Sequence, residues 1–186
     1  MIAHAPLETA RVRLEPIRAA HAPALLRYYT ENEAHLAPWE PARPPGFLSL
    51  AYWRSNAEYL EHENRAERSY GFVAFERDGA EVVAAQINLW NILRGVSLSA
   101  TLGYSLASSA QGRGLATEAV GAVVDFALDV LGLHRVVATY QPTNDRSGRL
   151  LRRLGFGIEG YSRDHLFIGG AWRDSILTAR LREDGR

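Results

Sequence analysis

Apolar and charged side chains alternate across RVRLEPI (11–17), which predicts a short half-buried strand closed by Pro16. AAHAPALLRYYTENEAHL (19–36) reads as a helix carrying Leu25, Leu26 and Tyr29 on one face. Four prolines and a glycine in APWEPARPPGF (37–47) stop that periodicity and predict a loop. SLAYWRSNAEYLEHENRAER (49–68) is again amphipathic, and its acidic cluster of Glu58, Glu61 and Glu63 reads as a solvated outer face. From Tyr70 the period becomes that of strands. YGFVAFE (70–76), the turn RDG (77–79) and EVVAAQINLW (81–90) form a hairpin, and VSLSATLGYSL (96–106) adds a third strand to the meander.

The longest helical pattern follows at GLATEAVGAVVDFALDVLG (114–132). Val120, Val123, Val124, Ala127, Leu128 and Leu131 recur at helical spacing, and Gly132 suits the stop. HRVVATYQ (134–141) is strand-like. NDRSGRLLRRLGF (144–156) predicts a short helix capped by Asn144 or Asp145 and ended at Gly155. Strands around 156–163 and 172–181 flank the Gly169-Gly170 turn. This order of elements predicts one α+β domain over residues 1–186, with a mixed sheet and not a doubly wound one.

Composition narrows the chemistry. With 47% apolar and 23% charged residues, 186 residues suffice for one domain with a proper core. Zero formal net charge gives no overall field for nucleic acid or an anionic membrane, so neither is an expected partner. The absence of cysteine excludes disulfides, a thiolate nucleophile and zinc–thiolate sites. All 21 basic residues are arginine, so no lysine can act as base or Schiff-base former. His134 and His165 lack ligand spacing, and no metal is expected. Neither a signal-peptide pattern nor a bilayer-spanning run is visible, which makes a cytoplasmic protein the expectation.

One stretch asks for more than a structural reading. In QGRGLAT (111–117) two glycines sit just before the longest helix. Such a turn is either an ordinary helix start or a cradle of N–H groups at a positive helix end, suited to phosphate. It lacks the lysine of a nucleotide-triphosphate loop.

As Gln111-x-x-Gly114-x-Ala116, the stretch is similar to the Q/R-x-x-G-x-G/A signature of the GNAT superfamily of N-acetyltransferases. TLGYSLA (101–107) before it and TNDRSGRLLRRLGF (143–156) after it fit the same core. YYTENEAHLAPWEP (28–41), NILRGVSLSATLGYSL (91–106), HRVVATYQPTNDRSGRLLRRLGF (134–156) and GYSRDHLFIGGAWRDSILTA (160–179) further resemble the RimJ branch of the RimJ/RimL enzymes. The resemblance runs from about residue 9 to 181. It implies a mostly antiparallel central sheet with a splayed strand pair and flanking helices. It also implies acetyl-CoA as cosubstrate, no metal, and the N-terminal alanine of a ribosomal protein as acceptor, in a monomer or homodimer.

The resemblance also assigns roles. Gln111, Gly112, Arg113, Gly114, Leu115, Ala116 and Thr117 would hold the diphosphate, Arg113 either lending charge or facing solvent. Leu102, Tyr104, Ser105 and Leu106 would offer a strand edge to the pantetheine arm. An N–H between Leu102 and Tyr104 would polarise the acetyl carbonyl, a contribution of about 3 kcal/mol. Asn144 would contact the arm and Ser147 would protonate the leaving sulfur, with Tyr104 and Tyr140 as alternative acids. The glutamate that often precedes L/I-G-Y in the wider family is replaced by Thr101. The base is then sought in Glu40 or Asp164, and Asp164 reads equally as a surface turn residue. Tyr28 and Trp39 would wall the acceptor groove, with Glu40 or Glu33 drawing a basic tail. An α-amine is easier to deprotonate than a lysine by roughly 3.5 kcal/mol, so a modest base suffices. A small amine or antibiotic as acceptor, or a binding role in ribosome assembly, are the other functions open to this fold.

Overall fold

The computed structural model describes residues 5–79 and 81–183. Its strands form one sheet in the order β1-β2-β3-β4-β5-β6-β8-β7. They are β1 (Leu7–Glu8), β2 (Val12–Pro16), β3 (Tyr70–Glu76), β4 (Val83–Leu93), β5 (Ser99–Leu106), β6 (Arg135–Tyr140), β7 (Gly157–Ile168) and β8 (Ala171–Leu181). Every pairing is antiparallel except that of β5 with β6. The expected meander and C-terminal hairpin are present, with Gly169 and Gly170 both at positive φ in the turn. β1 was not expected. Two residues carry too little pattern to be read as a strand.

The helices are α1 (Ala22–Glu31), α2 (Glu33–Leu36), α3 (Leu50–Arg65), α4 (Leu115–Asp125) and α5 (Asp145–Arg153). Two departures from the periodicity have local causes. The single helix expected over 19–36 is broken at Asn32. The Asn32 amide donates to the Tyr28 carbonyl at 2.8 Å, and its Oδ1 accepts from the Ser108 N–H at 2.8 Å. A short amide competing with the helix backbone ends α1 and fastens its end to the loop after β5. The long helix relaxes into a π turn over Phe126–Val130, which buries Phe126, Ala127 and Leu128 together. Phe126 there meets Tyr70 and Phe72 edge-on.

The acidic residues of α3 are less free than expected. Glu58 is exposed, but Glu61 accepts from the Ala19 N–H at 2.9 Å and Glu63 pairs with Arg68. The core lies on both sheet faces. Val120, Val123 and Val124 of α4 are fully buried, as are Leu25 of α1 and Ala57 of α3, with Trp53 nearly so. Replacing Asn32 with leucine is expected to cost about 2 kcal/mol, since it removes two hydrogen bonds, to the Tyr28 carbonyl and from the part-buried Ser108 N–H. A chain of this size should then melt about 4–8 °C lower, as read by circular dichroism.

Candidate active site

β5 and β6 run parallel and pair only through Ser99–Thr101 with Arg135–Val137. Beyond Thr101 the two strands part. β5 stays on β4 through Leu106, and β6 stays on β8 through Tyr140. Leu102 to Leu106 therefore present a strand edge with no partner on the β6 side. A V-shaped gap in a sheet is a place for an extended ligand bearing amides. A cleft of about 670 Å³ opens on it, lined by side chains from α2, the loop after it, β5, the glycine turn, α4 and α5.

The glycine turn closes one end of this cleft. Gly112 and Gly114 have φ of +73° and +79°, a region that side-chain-bearing residues adopt only with strain. Gly114 is the residue on which α4 starts. The first N–H groups of that helix and its positive dipole end therefore face the cleft mouth. Gln111, Gly112, Gly114, Ala116 and Thr117 line it. Arg113 does not. Its guanidinium makes two bonds to Glu76, at 2.7 and 2.6 Å, so its charge is spent on β3 and only its backbone remains with the turn. Leu115 points into the core, where it is 3% exposed.

The cations at the cleft come instead from α5. Arg146, Arg149 and Arg153 follow a helical spacing of three and four and all line it. That spacing is in the sequence, but arginines on a short helix read there as a solvated face. Arg153 donates to the Thr117 hydroxyl at 3.1 Å. Arg146 donates to the Gln111 side-chain oxygen, and the Gln111 amide nitrogen lies 2.8 Å from His35 Nε2. Arginine can only donate, so the Gln111 amide must give its hydrogen to His35, which fits the Nδ1-protonated tautomer. Gln111 thus ties α2 and α5 across the mouth.

At mid-cleft the Tyr104 and Ser147 hydroxyls lie 2.8 Å apart. Asn144 caps α5, its Oδ1 accepting from the Ser147 N–H at 3.1 Å, and that cap fixes where Ser147 begins the helix. Burial pushes the Tyr104 phenol up to about 12, so it stays protonated at neutral pH. Tyr140 is close to this pair but off the cleft lining. Its ring packs against Gly148, where a Cβ would stand 2.8 Å from it.

The remaining expected residues divide. Trp39 and Glu40 line the cleft beside Leu36. The Gln141 amide holds their loop to the end of β6 through the Pro38 carbonyl, at 3.3 Å. Burial raises the Glu40 carboxyl above its usual range, against the hydrogen bond and charge of Arg43. Tyr28 is not a wall. It is buried behind the strand, where its hydroxyl donates to Ser105 Oγ at 2.9 Å, and only Ser105 reaches the cleft. Leu102 is likewise a core side chain, so only its backbone is available at the splay. Asp164 is outside the site. It is exposed on a bulged stretch of β7 at φ +47°, with its N–H bonded to Asp174 at 2.9 Å. The bulge between Ser162 and Leu166 turns it outward.

Residues 11–157, which carry the splayed parallel pair and the glycine-led helix start, match the model of the acetyltransferase (GNAT) domain. The chain belongs to the GNAT family of N-acetyltransferases. It is 36% identical over 178 residues to the ribosomal protein uS5-alanine N-acetyltransferase of Escherichia coli, covering 96% of this chain and 91% of the relative. A Vibrio fischeri ribosomal-protein alanine acetyltransferase superposes with a TM-score of 0.92 at 31% identity, over 98% of this chain and 99% of that one. Mycobacterium smegmatis RimJ, solved with a CoA disulfide, gives 0.87 at 34% identity, over 97% and 88%. Among the described residues no helix is long and apolar enough to cross a membrane.

Proposed function

We propose that this enzyme moves the acetyl group of acetyl-CoA onto the N-terminal α-amine of a ribosomal protein whose first residue is alanine. The observation that carries the reading is one continuous cleft. It joins the glycine turn at Gly112–Gly114, the free edge of β5, and a half-buried carboxylate at Glu40. The named acceptors of the E. coli and V. fischeri relatives support the choice of substrate.

The amide groups of the turn and the arginines of α5 hold the phosphates, and the β5 edge from Leu102 to Leu106 takes the pantetheine amides. Glu40 accepts the proton lost by the attacking amine. The nitrogen bonds to the thioester carbon, the carbon–sulfur bond breaks, and Ser147 gives its proton to the thiolate while Tyr104 re-protonates Ser147. Tyr104 then regains a proton from water and Glu40 releases its own to solvent. Trp39 walls the approach.

The test is to incubate the protein with acetyl-CoA and total ribosomal proteins and to map new acetyl groups by mass spectrometry. An α-amine label on one alanine-initiated protein is the expected outcome. Labels on polyamines alone would replace this reading with a small-amine one. A separate expectation concerns the α5 cations. Arg149→Gln or Arg153→Gln should weaken CoA binding about 10-fold, as expected for a partly solvated arginine–phosphate pair. The loss should shrink at high salt when followed by calorimetry.

A further inference from the structure

Arg43 is not part of the cleft lining, yet it holds the carboxylate that is. Its side chain is 16% exposed, and its Nη2 donates to Glu40 Oε2 at 3.2 Å. The guanidinium carbon lies 4.7 Å from the centre of the Phe47 ring and 5.4 Å from that of Tyr29. Those rings are themselves fixed. Tyr29 stacks on Trp53 at 4.7 Å, and Phe47 meets Trp53 edge-on at 5.1 Å. A turn at Gly46, φ +76°, with its carbonyl accepting from Ser49 Oγ at 2.6 Å, brings Phe47 back onto this cluster.

Arg43 Nη1 is buried with no hydrogen-bond partner among the described residues, and Glu33 stands 3.8 Å from it. A buried guanidinium with idle donors is a poor device for stability, because its desolvation is only partly offset. Stacking on two rings recovers part of that cost. What the arrangement does secure is the state of Glu40. One oxygen is pinned, and the other accepts no hydrogen bond among the described residues and remains available to the cleft.

We propose that Arg43 is the positioning residue for Glu40, keeping its carboxylate charged inside an apolar wall and turning its unbonded oxygen toward the attacking amine. The proposal rests on the reading of Glu40 as the base. The other groups facing Glu40 do not substitute for Arg43. Tyr28 and Tyr29 on α1 are buried phenols held neutral, His35 on α2 is engaged by Gln111, and Glu33 on α2 has the wrong sign.

Arg43→Met keeps an apolar stem on the two rings and removes the charge. A base works ionised, so activity falls as pH drops through the titration of Glu40. Without Arg43 that acid limb of kcat, at saturating acceptor, is expected to move up by about one pH unit or more. Below the limb the variant is then about 10-fold slower than wild type, and above it the two converge. Arg43→Lys restores part of the difference. Glu40→Gln lacks the limb, and adding Arg43→Met to it costs little more. Carbon-13 titration of the Glu40 carboxyl reads the same displacement without catalysis, with Glu40→Gln supplying the assignment. Arg43→Gln takes the place of the methionine variant if that one does not fold. An unchanged Glu40 titration in the Arg43 variants overturns the proposal. A wild-type acid limb in Glu40→Gln removes Glu40 as base instead, and the carboxyl titration still decides whether Arg43 sets its charge.

Discussion

Gly114→Val is expected to weaken CoA binding at least about 100-fold, equivalent to about 2.7 kcal/mol. The argument has two parts. Gly114 sits at φ +79°, where an L side chain costs roughly 1–2 kcal/mol and a β-branched one is a true outlier. In addition, a Cβ there would stand 3.2 Å from Arg11 Nη2. That atom is the tip of a half-exposed side chain and needs to give only a few tenths of an ångström, at the expense of its ion pair and hydrogen bonds. The guanidinium bonds Glu118 through Nε at 2.6 Å and the Arg113 carbonyl through Nη1 at 2.9 Å, while Thr9 also holds Glu118 at 3.0 Å. The strained φ carries most of the effect: a β-branched residue pulls the turn out of the left-handed region, and with it the directions of the N–H groups that open α4. Gly112 is the control. Its φ is +73°, but nothing lies within 4 Å of an added Cβ, so Gly112→Ala meets only the backbone cost. Calorimetry should rank Gly114→Val well below Gly112→Ala, with thermal melting confirming that both fold. CoA affinity of Gly114→Val within threefold of wild type would move the phosphate site away from this turn.

Much of this cleft could be read before any coordinates, and the reason is local. A positive φ favours glycine, so the paired glycines 112 and 114 before a long helix announce the turn. An amide that caps a helix three residues before a serine also places both, as Asn144 and Ser147 show. The splay of β5 from β6 is different in kind. It depends on β5 following β4 and β6 following β8 once their shared pairs end at Thr101 and Val137, the β6–β8 pairing joining residues about 40 apart, and no periodicity within either strand encodes it. Ion pairing is equally non-local. Arg113 belongs to the motif by position but to Glu76 by contact, while the α5 arginines reach the mouth only because α5 docks beside α4.

The same limit explains the two candidate bases. Both Glu40 and Asp164 are acidic residues in segments that the resemblance brings near the acceptor. Placement separates them: Glu40 is half-buried in the cleft lining against Arg43, and Asp164 is carried outward by a bulge in β7. A turn residue at positive φ is more often Asn or Asp for conformational reasons than for chemical ones. The proline-rich loop hid a further element. Arg43 and Phe47 turn a segment that looks structureless into a fixed arm, because the loop packs on the aromatic cluster of α1 and α3.

Ser147→Ala should lower kcat about 10²–10³-fold and leave CoA affinity within about threefold, the pattern of a proton donor used only in the transition state. Tyr104→Phe removes the second hydroxyl of the 2.8 Å pair and should lower kcat less, since Ser147 itself still reaches the sulfur. In the proposed mechanism the two act as one relay, so the double variant is expected to be little worse than Ser147→Ala alone. Additive losses would instead mean two independent tasks. The pH dependence follows from burial of the phenol. An acid works protonated and is lost as pH rises through its titration, and Tyr104 titrates at about 12. With saturating substrates, kcat should therefore show no alkaline loss assignable to this pair across the range in which the enzyme stays folded. A fall in kcat near neutral pH that Tyr104→Phe abolishes would contradict the relay, because it would require a phenol that ionises far more easily than one enclosed between β5 and α5.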